Sequence, residues 1–148
     1  HVYSNELNGL ITEKTIPNST HPYSTSHLEG ENVVLSENIE GNIEGLVLRL
    51  SNAFGAPVDK NANCWMLVVN DLCKQAAVNR QLVIRGPSNG VRNFITMTDV
   101  CLGLEFLINN NQKRVYPLIC NLGDKTKTIG NVAYIIKSIS LGHRSAMA

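Results

Sequence analysis

The stretch GLVLRLSNAFGAP, Gly45 to Pro57, decides the fold. Leu46, Val47, Leu48 and Leu50 form an almost continuous apolar run, closed by Gly55 and Pro57. A run without polar alternation suits a strand covered on both faces, as in a parallel sheet. Such a strand needs crossover helices beside it, and helical patterns do flank it.

Upstream lies HPYSTSHLEGEN, His21 to Asn32. A helix is expected from near Pro22 to about Glu37, with proline at its first position. Tyr23, His27 and Glu31 are spaced by four and share one face of that helix. From spacing alone the stripe is either a solvated helix face or an acid–base pair, a phenol with an imidazole to tune it. The first twenty residues are turn-rich and read as a loop with a short extended start at Val2-Tyr3.

Downstream, Asn63 to Asn79 has helical spacing at Trp65, Val68, Val69, Leu72, Cys73 and Ala76. QLVIRG (81–86) and NFITM (93–97) read as short strands. TDVCLGLEFLIN (98–109) opens on Thr98-Asp99, a helix cap. RVYPLICNLG (114–123) reads as a strand, and KTKTIGNVAYIIKSIS (125–140) as a last amphipathic helix. Strands alternate with helices, which predicts an α/β fold with some parallel sheet.

The bulk properties narrow the function. The chain has 148 residues, 43% hydrophobic and 17% charged, enough for one folded core. A net charge of +1 without a basic run argues against nucleic acid and against a membrane surface. No apolar stretch approaches a bilayer span. Cys64, Cys73, Cys101 and Cys120 form no C-x-x-C and have no histidine at ligand spacing, which argues against a zinc site. They lie in apolar runs, as reduced core cysteines do, and suit a cytoplasmic setting. The chain opens on His1 with neither a charged start nor an apolar signal core, so it is expected to begin partway through a longer protein.

Four segments, in order and over nearly the whole chain, resemble the NAD-dependent epimerase/dehydratase family of extended short-chain dehydrogenase/reductases. VYS followed by GLITEKTIPNSTHPYSTSHLEGE is similar to its strand end and catalytic helix. LRLSNAFGAP is similar to R-x-x-N-x-Y-G-P, RGPSNGVRNFITMTDV to G-x-G-x-x-x-R-D-F-I-x-V-x-D-V, and YPLICNLGDKTKTIGNVAYII to Y-N-I-G-x-G…S-I-x-E-L-A-x-x-I. The resemblance implies the back half of a Rossmann-type fold plus its small substrate-binding region.

It also implies roles. Tyr23 stands at the catalytic tyrosine, and His27 takes the place of the usual lysine, which holds the nicotinamide ribose. Leu50 and Ser51 match positions lining the nicotinamide. Asn52 matches an asparagine bonding the nucleotide sugar, and Asn63 with Cys64 falls where backbone contacts substrate. Arg92 matches the arginine on the substrate diphosphate, a task suited to a planar fork; otherwise it is a surface arginine. Asn93 replaces an aspartate. The implied cofactor is NAD or NADP, the partner a nucleotide sugar, and the assembly a homodimer packed through the Tyr23 helix. The family's G-x-x-G-x-x-G turn, where pyrophosphate meets a helix N-terminus, is absent from the sequence. That dinucleotide-binding half, and the catalytic Ser/Thr, are expected before His1. Two functions follow: a nucleotide-sugar epimerase, dehydratase or reductase, or a non-catalytic relative that binds the sugar nucleotide or serves in assembly.

Overall fold

The computed structural model describes residues 2–3, 7, 9–59, 61–110 and 118–145, with side chains up to residue 141. Their elements run α1 (Pro22–Ile39), β1 (Val47–Leu50), β2 (Asn52–Phe54), α2 (Val68–Val78), β3 (Val91–Thr96), α3 (Met97–Asn110), β4 (Ile119–Leu122), β5 (Lys125–Thr128) and α4 (Ile129–Ser145). The chain divides into two compact units, His1–Ser51 with Val100–Gly123 and Asn52–Asp99 with Asp124–Ala148.

The first unit holds a two-stranded parallel sheet in which β1 runs beside β4, from Val47 opposite Ile119 to Leu50 opposite Leu122. Helix α1 starts as its sequence dictates. Pro22 sits in the first turn, and the His21 side chain accepts the Tyr23 N–H at 3.2 Å. It stops where Gly41 adopts φ +80°, a conformation that suits glycine just past a helix end. Val2, Val47 and Val100 are the buried apolar side chains of this unit among the described residues.

The second unit holds a three-stranded sheet in the order β2-β3-β5, with β2 parallel and β5 antiparallel to β3. Here the apolar spacing of the helices closes a true core. Val69 and Leu72 of α2, Phe94 of β3 and Val132 and Ala133 of α4 are buried together. Phe54, Leu82, Ile84 and Ile129 pack around them.

Several expectations are corrected. The run Gly45–Pro57 is not one strand but two, parted at Ser51 and paired in different sheets. Only Val47 in it is buried, so it is not covered on both faces. The helix expected from Asn63 begins at Val68, because a series of turns precedes it, the Cys64 N–H bonding the Ala62 carbonyl and the Leu67 N–H the Cys64 carbonyl. Gln81–Gly86 joins no strand. The backbone N–H and C=O of Val83 go instead to the side-chain amide of Gln75, at 2.7 and 3.3 Å. Lys125–Thr128 opens the last segment as β5 rather than as helix, since β3 offers it a ladder. The cap of α3 is Thr96, whose hydroxyl accepts the Asp99 N–H and donates to the Asp99 carboxylate. None of the cysteines is a buried core residue: Cys64 and Cys120 are half-buried, and Cys73 and Cys101 are exposed. Trp65 is half-exposed, with the Lys74 ammonium 5.1 Å from its ring centre. Residues 114–117, expected in a strand, lie outside the described residues.

Candidate functional site

Tyr23 occupies the first turn of α1 and is 54% exposed. Its phenol oxygen makes no hydrogen bond among the described residues; the bonds of Tyr23 are all backbone ones. His27 stands one turn on. Its ring centre lies 4.1 Å from that of Tyr23, the planes tilted by 34°. The sequence spacing of four therefore brings phenol and imidazole into contact.

The imidazole has a defined tautomer. His27 Nδ1 lies 2.8 Å from the Tyr23 carbonyl, which can only accept, so Nδ1 carries the proton. In the neutral ring Nε2 then holds a lone pair. Ser26 Oγ donates to the same carbonyl at 3.0 Å.

Glu31, the third member of the stripe, does not serve His27. Its carboxylate is held by Arg49 of β1, with Nε 3.1 Å from both oxygens and Nη2 2.6 Å from Oε2. Both side chains are about nine-tenths buried, and the bond to Glu31 raises the Arg49 pKa further above its ordinary value. Arg49 Nη1 donates to the Tyr3 hydroxyl at 2.7 Å, and the Tyr3 hydroxyl in turn reaches the Thr12 carbonyl and Asn121 Oδ1. Tyr3 and Arg49 both fall in segments that carry the family resemblance, VYS and LRLSNAFGAP, but the sequence assigns neither a role. The available signal was an arginine interrupting the apolar run of a strand, which implies a buried acid.

Leu50 and Ser51 end β1. Leu50 is exposed, whereas Ser51 Oγ is buried with no hydrogen-bond partner among the described residues. A buried hydroxyl in that state at the carboxyl end of a parallel strand is available to a ligand. The Tyr23 and Ser51 hydroxyls can each donate or accept a hydrogen bond, whereas the His27 Nε2 lone pair can only accept one.

The other predicted residues belong to the second unit. Asn52 donates its amide to the Asn93 carbonyl at 2.8 Å, stitching β2 to β3. Arg92 is exposed on β3, opposite Lys127 of β5, and spends one N–H on the Val91 carbonyl at 2.8 Å. Asn93 reaches Thr126 and Asp124. Asn63 lies in the turns before α2. Among the described residues no cluster of His, Cys, Asp or Glu could hold a metal ion, and no helix is long and apolar enough to cross a membrane.

Helices joined to parallel strands, with polar side chains at the strand ends, define an α/β protein of Rossmann type. The chain belongs to the NAD dependent epimerase/dehydratase family, whose sequence model matches residues 1–123. Among solved structures it is similar to UDP-N-acetylglucosamine 4-epimerase from Methanobrevibacter ruminantium M1 in complex with UDP-N-acetylmuramic acid (21% identity, TM-score 0.80, 93% of this chain and 43% of that one). It is also similar to UDP-glucuronic acid 4-epimerase from Bacillus cereus in complex with UDP-glucuronic acid and NAD (22%, 0.77, 94% and 42%). A third is dTDP-glucose 4,6-dehydratase from Bacillus anthracis str. Ames in complex with NAD (22%, 0.75, 91% and 41%). The chain thus spans about two-fifths of the length of these structures. No curated protein matches it.

Proposed function

We propose that residues 1–148 form the catalytic-helix and substrate-holding part of an NAD(P)-dependent nucleotide-sugar epimerase or dehydratase, with the glycine turn outside them. One observation carries the reading: an exposed, unbonded phenol at Tyr23 in ring contact with His27. Bound NAD supplies the acceptor and donor of hydride. Tyr23, as its phenolate, would take the proton of the sugar hydroxyl as the carbon gives up hydride, and as the phenol would return it in the reverse sense. Ser51 and the His27 lone pair hold cofactor hydroxyl or amide groups. Arg92 forks onto the diphosphate, and Asn52, with one amide N–H held by the Asn93 carbonyl, offers Oδ1 to the sugar. Asn63 adds backbone contact. Unpaired thiols at Cys64, Cys73 and Cys101 agree with a cytoplasmic setting. Exposed Val33 and Ile39 on α1 agree with a homodimer packed there.

His27 sets the second reading apart. A phenol ordinarily titrates at about 10 and needs a cation to act at neutral pH, which a lysine supplies and a neutral imidazole does not. A non-catalytic relative that binds the sugar nucleotide is the alternative. Turnover against pH on a panel of nucleotide sugars separates the two. In the complete protein Tyr23→Phe abolishes turnover while binding persists, and His27→Lys extends activity to lower pH. Full activity in Tyr23→Phe would falsify the proton-carrier role. If neither wild type nor His27→Lys turns over any nucleotide sugar, the binding-protein reading replaces the enzyme.

A further inference from the structure

We infer that the Glu31–Arg49 ion pair, with Tyr3 behind it, is the positioning device that sets where α1 presents Tyr23. This rests on Tyr23 being the proton carrier. The apolar packing of α1 defines its rotation only loosely: Ser24 is its one fully buried residue, Leu28, Val34 and Leu35 are half-buried, and Val33 is 60% exposed. The fork does define it. Two guanidinium nitrogens of Arg49 engage both Glu31 oxygens, and a third nitrogen is fixed by the Tyr3 hydroxyl. Arg49 sits one residue before Leu50 and two before Ser51, so the pair ties the Tyr23 stripe to the end of β1.

The lever is geometric. Glu31 follows Tyr23 by eight residues, roughly 12 Å along the helix axis and on the same face. A rotation of α1 by roughly 10° moves a side-chain tip at the helix surface by about 1 Å. Misplacement of that size costs a reaction about 100-fold. A lysine in place of Arg49 keeps the charge but has one nitrogen where the fork has several. It therefore holds the acid without fixing the angle.

The test is steady-state kinetics on the complete protein, with NAD and its nucleotide sugar, for Arg49→Lys and Tyr3→Phe. The expected result is a kcat lower by about 10- to 100-fold in Arg49→Lys and by a smaller factor in Tyr3→Phe, with KM for both ligands unchanged. The milder Tyr3→Phe keeps the question open to measurement if Arg49→Lys does not fold. Unchanged kcat in folded variants overturns the positioning role, and so does a parallel rise in KM, which a general loosening produces. Full activity in Tyr23→Phe, or a wild type that turns over nothing, instead removes the proton-carrier reading and the positioning role with it.

Discussion

The two units solve the same problem with different chemistry. The second buries Leu72, Phe94, Val69, Val132 and Ala133 in one cluster. The first buries few apolar side chains and holds its helix to its strand through Glu31, Arg49 and Tyr3, while Leu102, Phe106 and Ile108 of α3 stay exposed. Burial is non-directional and tolerates small shifts, whereas a bidentate ion pair prescribes an angle. The unit that carries the phenol is the one held by direction.

The comparison predicts different sensitivities, read as shifts in a denaturation midpoint. The largest belongs to Glu31→Ala, which strands a buried guanidinium and is expected to cost about 3–5 kcal/mol. Replacing both partners together, as Glu31→Leu with Arg49→Met, is expected to be near neutral or stabilising. If the double variant loses as much as the single one, the pair itself is the stabiliser and the contrast between the units narrows. In the second unit Leu72→Ala is expected to cost about 2–5 kcal/mol through lost burial and a cavity.

A smaller loss, about 1–3 kcal/mol, is expected for Gln75→Ala, which leaves the Val83 backbone groups unpaired. Smallest is an acid-side effect in the first unit. The Asn121 N–H, bonded at 2.8 Å, holds the Glu13 carboxyl below its ordinary range. A depressed folded-state pKa means a contribution present above the ordinary carboxylate range and lost as pH falls through the folded value. Glu13→Gln should therefore lower stability at neutral pH slightly and flatten its decline on acidification; an unaltered acid limb would remove Glu13 from that account.

The same contrast explains what was legible in the sequence. The core of the second unit could be read because Val69, Leu72, Val132 and Ala133 recur at helical spacing. Tyr23 and His27 could be read because their contact is local, one helical turn apart. The Arg49–Glu31 pair spans 18 positions, and no local rule joins them. β5 was misread because Lys125–Thr128 has no apolar period; its register comes from β3. The break at Ser51 was missed because the apolar run does not show that its two halves pair with different strands. The late start of α2 was missed because Trp65 continues the helical period through residues that turn instead.

One detail of the second unit concerns backbone that no strand covers. Leu82–Ile84 is an apolar stretch outside any strand, and unpaired backbone in such a stretch invites a strand from another molecule. Gln75, buried in α2, answers both backbone groups of Val83 with its own amide. A side chain thus occupies the two backbone groups of Val83 that a neighbouring strand would need to pair there.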